Sequence, residues 1–251
     1  MRVEIWSDIS CPWCFIGKAR FKKALSAFPH RDHVEVVHRS FELDPHLTHT
    51  RPTTGAAHAK KYGMTPAQAR AAEKNLAHIA RKEGLEYLVD FRDHGNTFDL
   101  HRLLHLAAAR GLQDELLTLF YEGNFAAERS IYDLEHQVDL AVRAGLDEVE
   151  VRAVLADKQA YANKVRKDEA EAAQLGVTGV PFFLIDRKYG LAGAQPTEVV
   201  SEVLERAWAE RQPELVIIGA DDQAGCDADG DCEVPGAGTD ADGTTRRPAP
   251  A

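Results

Sequence analysis

The sequence predicts an α/β fold interrupted by an all-α insertion, and three observations carry that expectation. A strand–helix–strand pattern opens the chain. Between about residues 54 and 175 helix caps recur and no convincing strand appears. Strand character then returns at Gly176, followed by a hairpin and one last helix.

Each element has a local reason. Val3-Glu4-Ile5-Trp6-Ser7 alternates apolar and polar residues and reads as a short strand. Phe15 to Leu25 carries apolar residues at helical spacing, and Val34 to Phe41 has strand composition. Leu43 to Pro52 is a His/Thr/Pro loop. Thr65-Pro66-Ala67-Gln68 is a capping box with proline at the first helical position, and Gly84 marks that helix's end. Asn96-Thr97 opens a helix whose apolar stripe is Leu100, Leu103, Leu104 and Ala107, ended by Gly111. Further helices run from about Asp114 to Phe125, from Asp133 to Gly145, and from the Asp147/Glu150 capping box to Gly176, with a break near Asp157. Gly176 to Ile185 reads as a strand, Asp186 to Gly190 as a turn, and Leu191-Ala192-Gly193 as its partner strand. Pro196 and Thr197 start the last helix, which runs through Trp208 and is stopped by Pro213.

Strand–helix–strand, a helical block, then hairpin–helix are the parts of a thioredoxin fold cut by an all-α domain. The boundaries read as residues 1–45 and 174–218 for a discontinuous thioredoxin-like domain and 46–173 for the helical insertion. Residues 219–251 form a flexible acidic tail: eight acidic residues and two arginines give it a net charge of −6, and Val234 is its only large aliphatic.

Composition excludes several classes. At 251 residues the chain has ample core, and its net charge of −10 argues against nucleic acid or an anionic membrane as partner. No secretory signal is visible, since Arg2 and Glu4 follow the first methionine closely, and no apolar run reaches the length of a membrane span. Four cysteines are too few for a disulfide scaffold, and a cytoplasmic setting is expected. Nothing in the sequence specifies an oligomeric state.

The chemistry centres on Cys11-Pro12-Trp13-Cys14. A strand feeding a helix through this motif puts Cys11 at the helix N-terminus, where unpaired N–H groups and the dipole favour a thiolate. Pro12 costs nothing there, because its missing N–H would be unpaired anyway. Such positions can lower a cysteine pKa from about 8.5 to roughly 3.5–7.5. Cys11 is the candidate nucleophile and Cys14, one turn inside the helix, the candidate resolving thiol. Half a zinc site and an inert structural disulfide compete with this reading. Zinc needs two more ligands; no second Cys-x-x-Cys follows, and the one His-x-x-x-His pair, His101 and His105, has no third ligand beside it in sequence. His38, His46 and His49 match no metal pattern; His101 and His105 lie four apart and read as core-edge packing, with a substrate-pocket wall as the alternative for His101. No metal is therefore expected.

Pro181 directly precedes the apolar run Phe182 to Ile185, a place open to a strand-initiating proline. A cis Val180–Pro181 bond would cost only about 0.5–1 kcal/mol and could present the flanking backbone to an extended substrate near Cys11. The tail pair Cys226 and Cys232 brackets Asp227 to Asp231, which does not match an EF-hand loop. It is either an auxiliary redox pair exchanging with Cys11 or two exposed thiols without a dedicated role.

Trp6-Ser7-Asp8 leading into Cys11-Pro12-Trp13-Cys14 and then Gly17-Lys18 resembles the DsbA-family oxidoreductases of the FrnE type. Asn96 to Leu106, Gly176 to Phe183 and Tyr189 to Gln195 fit the same group, so the resemblance runs in order over about residues 1–215. It implies a thioredoxin fold with a helical insertion, Cys11 and Cys14 as the redox pair, Pro181 as a cis-proline beside them, and an auxiliary role for Cys226 and Cys232. Related glutathione-dependent isomerases and transferases typically carry serine where Cys11 stands. Periplasmic DsbA proteins usually carry histidine where Trp13 stands, and losing that cationic neighbour predicts a less oxidising couple, each 30 mV being about 1.4 kcal/mol. The expected function is disulfide exchange with thiol- or disulfide-bearing protein substrates, with no cofactor and glutathione as a conceivable redox partner. The alternatives are a glutathione-dependent isomerase or transferase, and a redox-switched non-catalytic holdase.

Overall fold

The computed structural model describes residues 1–48, 59, 63–90 and 93–211. The sheet has the order β2-β1-β3-β4, with β1 Arg2–Ser7, β2 Glu35–Ser40, β3 Phe182–Ile185 and β4 Tyr189–Ala192. β1 and β2 pair in parallel, Val3 opposite Val36 and Ser7 opposite Ser40, across α1 (Pro12–Ala27). β3 runs antiparallel to β1, with Trp6 opposite Phe182, and to β4, with Phe182 opposite Ala192. The expected α/β architecture is therefore present: a thioredoxin fold with helices between β2 and β3. These are α2 (Pro66–Lys82), α3 (Phe98–Ala108), α4 (Gln113–Phe125), α5 (Leu134–Arg143), α6 (Glu148–Ala156) and α7 (Ala162–Gln174). The last helix is α8 (Thr197–Ala209).

Alternation along β1 divides two layers. Val3 and Ile5 face a core with Phe21 and Ala24 of α1, Phe28 at its C-cap, Phe183 and Ile185 of β3, and Val200, Leu204 and Ala207 of α8. Glu4 and Trp6 face the opposite way and are buried too. Trp6 packs with Leu184, Ala172 and Val177, and its Nε1–H donates to the Asp168 carbonyl at 2.9 Å. Glu4 is neutralised there by Arg39 and by Arg187, whose Nε lies 2.7 Å from Glu4 Oε2. A buried carboxylate so paired keeps its charge.

The caps expected from the sequence are largely in place. Thr65 accepts the Gln68 N–H and Gln68 returns the bond, the reciprocal capping box. Asp147 accepts the Glu150 N–H, and the break at Asp157 separates α6 from α7. Asp133 sits at the N-cap of α5, where its side chain makes no capping hydrogen bond. The β3–β4 hairpin is tighter than expected. Asp186 and Arg187 both take positive φ, 45° and 57°, so the chain reverses within the turn and β4 begins at Tyr189, two residues before Leu191. Aspartate tolerates the left-handed region better than most residues.

Residues Met1–Glu210 form one compact unit. Its largest apolar cluster takes in Ile9, Cys11, Cys14, Phe15 and Ile16 together with residues of α2 through α6. The cysteine motif is thus packed directly against the helical segment. Among the described residues no helix is long and apolar enough to cross a membrane. Pro213, residues 49–58 and 60–62, and the segment with Cys226 and Cys232 lie outside the described residues.

Candidate active site

β1 ends at Ser7, and the chain turns through Asp8 to Ser10 into α1. Asp8 organises this turn. Its carbonyl accepts the Cys11 N–H at 3.1 Å, Oδ1 accepts the Ser10 N–H at 3.1 Å, and Oδ2 accepts the Leu43 N–H at 2.7 Å. His101 on α3 places Nε2 3.6 Å from Asp8 Oδ1, both side chains 1% exposed. Burial is the largest single influence on the Asp8 carboxyl and pushes its pKa up. His101 and the two amides together outweigh it and hold the group below the usual carboxylate range.

Cys11 is the N-cap of α1, with extended φ and ψ, and Pro12 stands at the first helical position. The Cys11 Sγ accepts the Cys14 N–H at 3.4 Å and lies 3.6 Å from the Val180 carbonyl oxygen. A sulfur at an N-cap receives a helix N–H that would otherwise be orphaned, which favours negative charge there. Both thiols are buried, Cys11 4% and Cys14 1% exposed, and both are free. The Cys14 thiol is pushed well above its ordinary range, first by burial, then by the hydrogen bond and charge of Cys11, while the Asp8 backbone pulls the other way. Two thiols one helical turn apart in such different settings suit successive roles. Trp13, between them, is 39% exposed and forms part of the surface over the motif.

The Val180–Pro181 peptide bond is cis and immediately precedes β3. The Pro181 carbonyl accepts the Gly193 N–H at 2.8 Å, which fixes the proline to the end of the hairpin. Gly17 explains how closely α1 approaches: a Cβ there would stand 3.0 Å from Pro181 Cγ and 3.4 Å from Ala194 Cβ. Cys11, Cys14, Val180 and Pro181 therefore converge, while Cys226 and Cys232 fall outside the described residues.

Three further contributors carry no clear signal in the sequence. Asp8 could be suspected from its place three residues before Cys11, where an aspartate readily caps the amide two residues on. His101, expected as packing, is buried against Asp8. Tyr121 of α4 packs on Phe15 with ring centroids 5.5 Å apart, and only the tertiary fold brings it to the motif. Among the described residues no three His, Cys, Asp or Glu side chains converge as a metal-ligand set.

A thioredoxin fold with a dithiol at the N-terminus of its first helix, facing a cis-proline loop, defines the class: a thioredoxin-fold dithiol protein. Residues 2–205 match the model of the DSBA-like thioredoxin domain, and the chain belongs to that family. It is 60% identical to a probable DsbA oxidoreductase from Streptomyces coelicolor, with a TM-score of 0.82 over 94% of this chain and 100% of that one. It is 26% identical to the uncharacterized protein YwbO of Bacillus subtilis (strain 168) over 220 residues, 84% of this chain and 98% of the other. The cytosolic disulfide reductase DsbM of Pseudomonas aeruginosa shares the fold, with a TM-score of 0.60 at 16% identity over 83% and 99% of the two chains.

Proposed function

We propose that this chain is a thiol–disulfide oxidoreductase acting on protein substrates, with Cys11 as nucleophile and Cys14 as resolving thiol. The observation that carries the reading is the Cys11 sulfur: an N-cap that accepts the Cys14 N–H at 3.4 Å and lies 3.6 Å from the Val180 carbonyl. Cys11 thiolate attacks a client disulfide, one client sulfur leaves as a thiol, and a mixed disulfide forms. Cys14 then attacks Cys11, releasing the second client sulfur and leaving the pair oxidised; run backwards, the oxidised pair donates its disulfide. Val180 and Pro181 present backbone to an extended client segment, and the partly exposed Trp13 offers it an apolar face. The two thiols suffice without a cofactor, and glutathione is a suitable small-thiol partner. We place the protein in the cytoplasm, in keeping with its sparse cysteines, and assign Cys226 and Cys232 as an auxiliary pair that exchanges with Cys11.

Insulin reduction by wild type, Cys11→Ser and Cys14→Ser tests the assignment. Cys11→Ser should be inactive, and Cys14→Ser should accumulate a trapped mixed disulfide. Full activity of Cys11→Ser would sink the reading.

A further inference from the structure

Gly193-Ala194-Gln195, the link between β4 and α8, backs the cis-proline. The Gly193 N–H donates to the Pro181 carbonyl at 2.8 Å. Pro181 and Ala194 both lie against the bare α-carbon of Gly17, where a Cβ would meet each of them. Two carbonyls of this stretch are met from within it. The Gln195 N–H donates to the Gly193 carbonyl at 2.9 Å, and the Gln195 side-chain amide to the Ala192 carbonyl at 2.8 Å. The Ala194 carbonyl is met from α1: Arg20 donates to it through Nη1 at 2.7 Å.

Arg20 stands three residues after Gly17, so one face of α1 both packs on the proline and holds the segment beside it. A second contact aims the guanidinium. Its Nε donates to Glu83 Oε1 at 2.8 Å, while Lys23 Nζ donates to Glu83 Oε2 at 2.6 Å. Glu83 is the C-cap of α2, so the planar fork of Arg20 is fixed between the helical segment and the hairpin. The Arg20 and Glu83 side chains are only 17% and 14% exposed, which limits competition from water for these bonds. The edge that depends on this clamp faces the nucleophile. The Val180 carbonyl lies 3.6 Å from Cys11 Sγ, and the cis bond joins Val180 directly to Pro181.

We propose that Arg20 is a positioning residue for client binding. By holding the Ala194 carbonyl it sets where the Val180–Pro181 backbone stands relative to Cys11, and Glu83 aims it. The inference rests on the reading of Cys11 and Cys14 as a pair that exchanges disulfides with protein clients. Arg20 acts through Ala194 and Pro181 rather than on a sulfur. Its loss therefore weakens the docking of an extended client segment and leaves the nucleophile as reactive as before.

The test uses the full chain and two measurements. Initial rates of insulin reduction are taken over a range of insulin concentrations, with dithiothreitol as the reductant. Alkylation of Cys11 by iodoacetamide, read by peptide mass spectrometry, reports the reactivity of the thiol without any client. Arg20→Ala should raise the KM for insulin about tenfold and leave kcat within about twofold, the pattern of lost binding shared by ground and transition states. Cys11 alkylation should stay within about threefold of wild type, since thiolate character and access are kept. A residue serving stability alone would give the opposite pattern: unchanged KM, kcat falling with the folded fraction, and faster alkylation of an opened Cys11. That pattern would overturn the assignment. Should Arg20→Ala fold poorly, Arg20→Met keeps a long apolar stem and removes both donors; it should raise KM likewise, and an unchanged KM would overturn the proposal. If wild type reduces insulin no faster than dithiothreitol alone, the exchange reading itself fails. If wild type is active and the variants keep its KM, only the role of Arg20 falls.

Discussion

Replacing Asp8 by alanine should damage the protein through backbone groups rather than through packing. The Asp8→Ala substitution strands the N–H groups of Ser10 and Leu43, which the carboxylate accepts at 3.1 and 2.7 Å, and removes the carboxylate 3.6 Å from His101 Nε2. A hydrogen bond to a charged group contributes roughly 1.5–3 kcal/mol, so losing two costs about 3–6 kcal/mol. That is a large part of the roughly 5–15 kcal/mol that holds an ordinary domain together. The pH dependence supplies a second check. The folded-state pKa of Asp8 lies below its ordinary value, because His101 and the two amides outweigh the effect of burial. Its contribution is therefore fully present above the unfolded value of about 3.9 and is lost as pH falls through the folded value. Urea titrations of wild type and Asp8→Ala, followed by tryptophan fluorescence, should show a gap of several kcal/mol at pH 7 that narrows below about pH 4. A gap under about 1 kcal/mol at pH 7, or one that does not narrow in acid, would refute the role given to Asp8.

Two further substitutions probe the contacts around the motif. In Gly17→Ala, helix propensity adds about 1 kcal/mol, but the new methyl stands 3.0 Å from Pro181 Cγ, and overpacking costs about 1–3 kcal/mol. Urea stability should change little or fall slightly, while insulin turnover drops about tenfold as Pro181 is pushed from Cys11; a stabilised, fully active variant would show that the approach is not tight. Arg102→Ala removes a fully buried guanidinium whose Nη1 donates to the carbonyls of Val154, Asp157 and Ala160 at 2.5, 2.8 and 3.1 Å. It should cost about 3–5 kcal/mol in urea titrations, with insulin turnover per folded molecule unchanged.

Most of the fold is legible in the sequence because its signals are local. A capping box such as Thr65/Gln68 or a helix-stopping glycine such as Gly84 acts within a few residues, and both stand where the sequence puts them. The hairpin departs from expectation at both strands: β3 begins at Phe182 after the cis Val180–Pro181 bond, not at Gly176, and β4 begins two residues early because Asp186 and Arg187 take positive φ in the folded turn, with no glycine at either place. At the site, Cys11, Cys14 and Pro181 are legible because each carries chemistry in its own residue type and neighbours. Arg102 and Tyr121 are not. Each sits in a helical run whose spacing signals burial, and nothing local says which buried positions will meet a carbonyl at the end of α6 or an aromatic ring on α1.

The same distinction explains why the helical segment matters to the Cys11–Cys14 pair. The first helix, α1, serves two cores in succession. Its N-terminal half, with Cys14, Phe15 and Ile16, joins the apolar cluster of the helical segment, while Phe21 and Ala24 join the sheet and α8. A helix used this way has no single continuous apolar stripe along its length. Asp8, Ile9, Phe15 and Ile16 surround the motif from within the strand–helix–strand unit, and the rest of its apolar cluster comes from outside that unit. Tyr121 and Phe125 arrive on α4, Tyr87 stacks on Phe125 at 5.5 Å, and His101 reaches Asp8 from α3. The thioredoxin elements place the sulfur atoms and supply the charges that act on Cys14, and the inserted helices complete the apolar cluster that buries it. Changes on α3 and α4 should therefore act on the resolving step, while changes at Trp13 or Val180 should act on the first attack and on client binding.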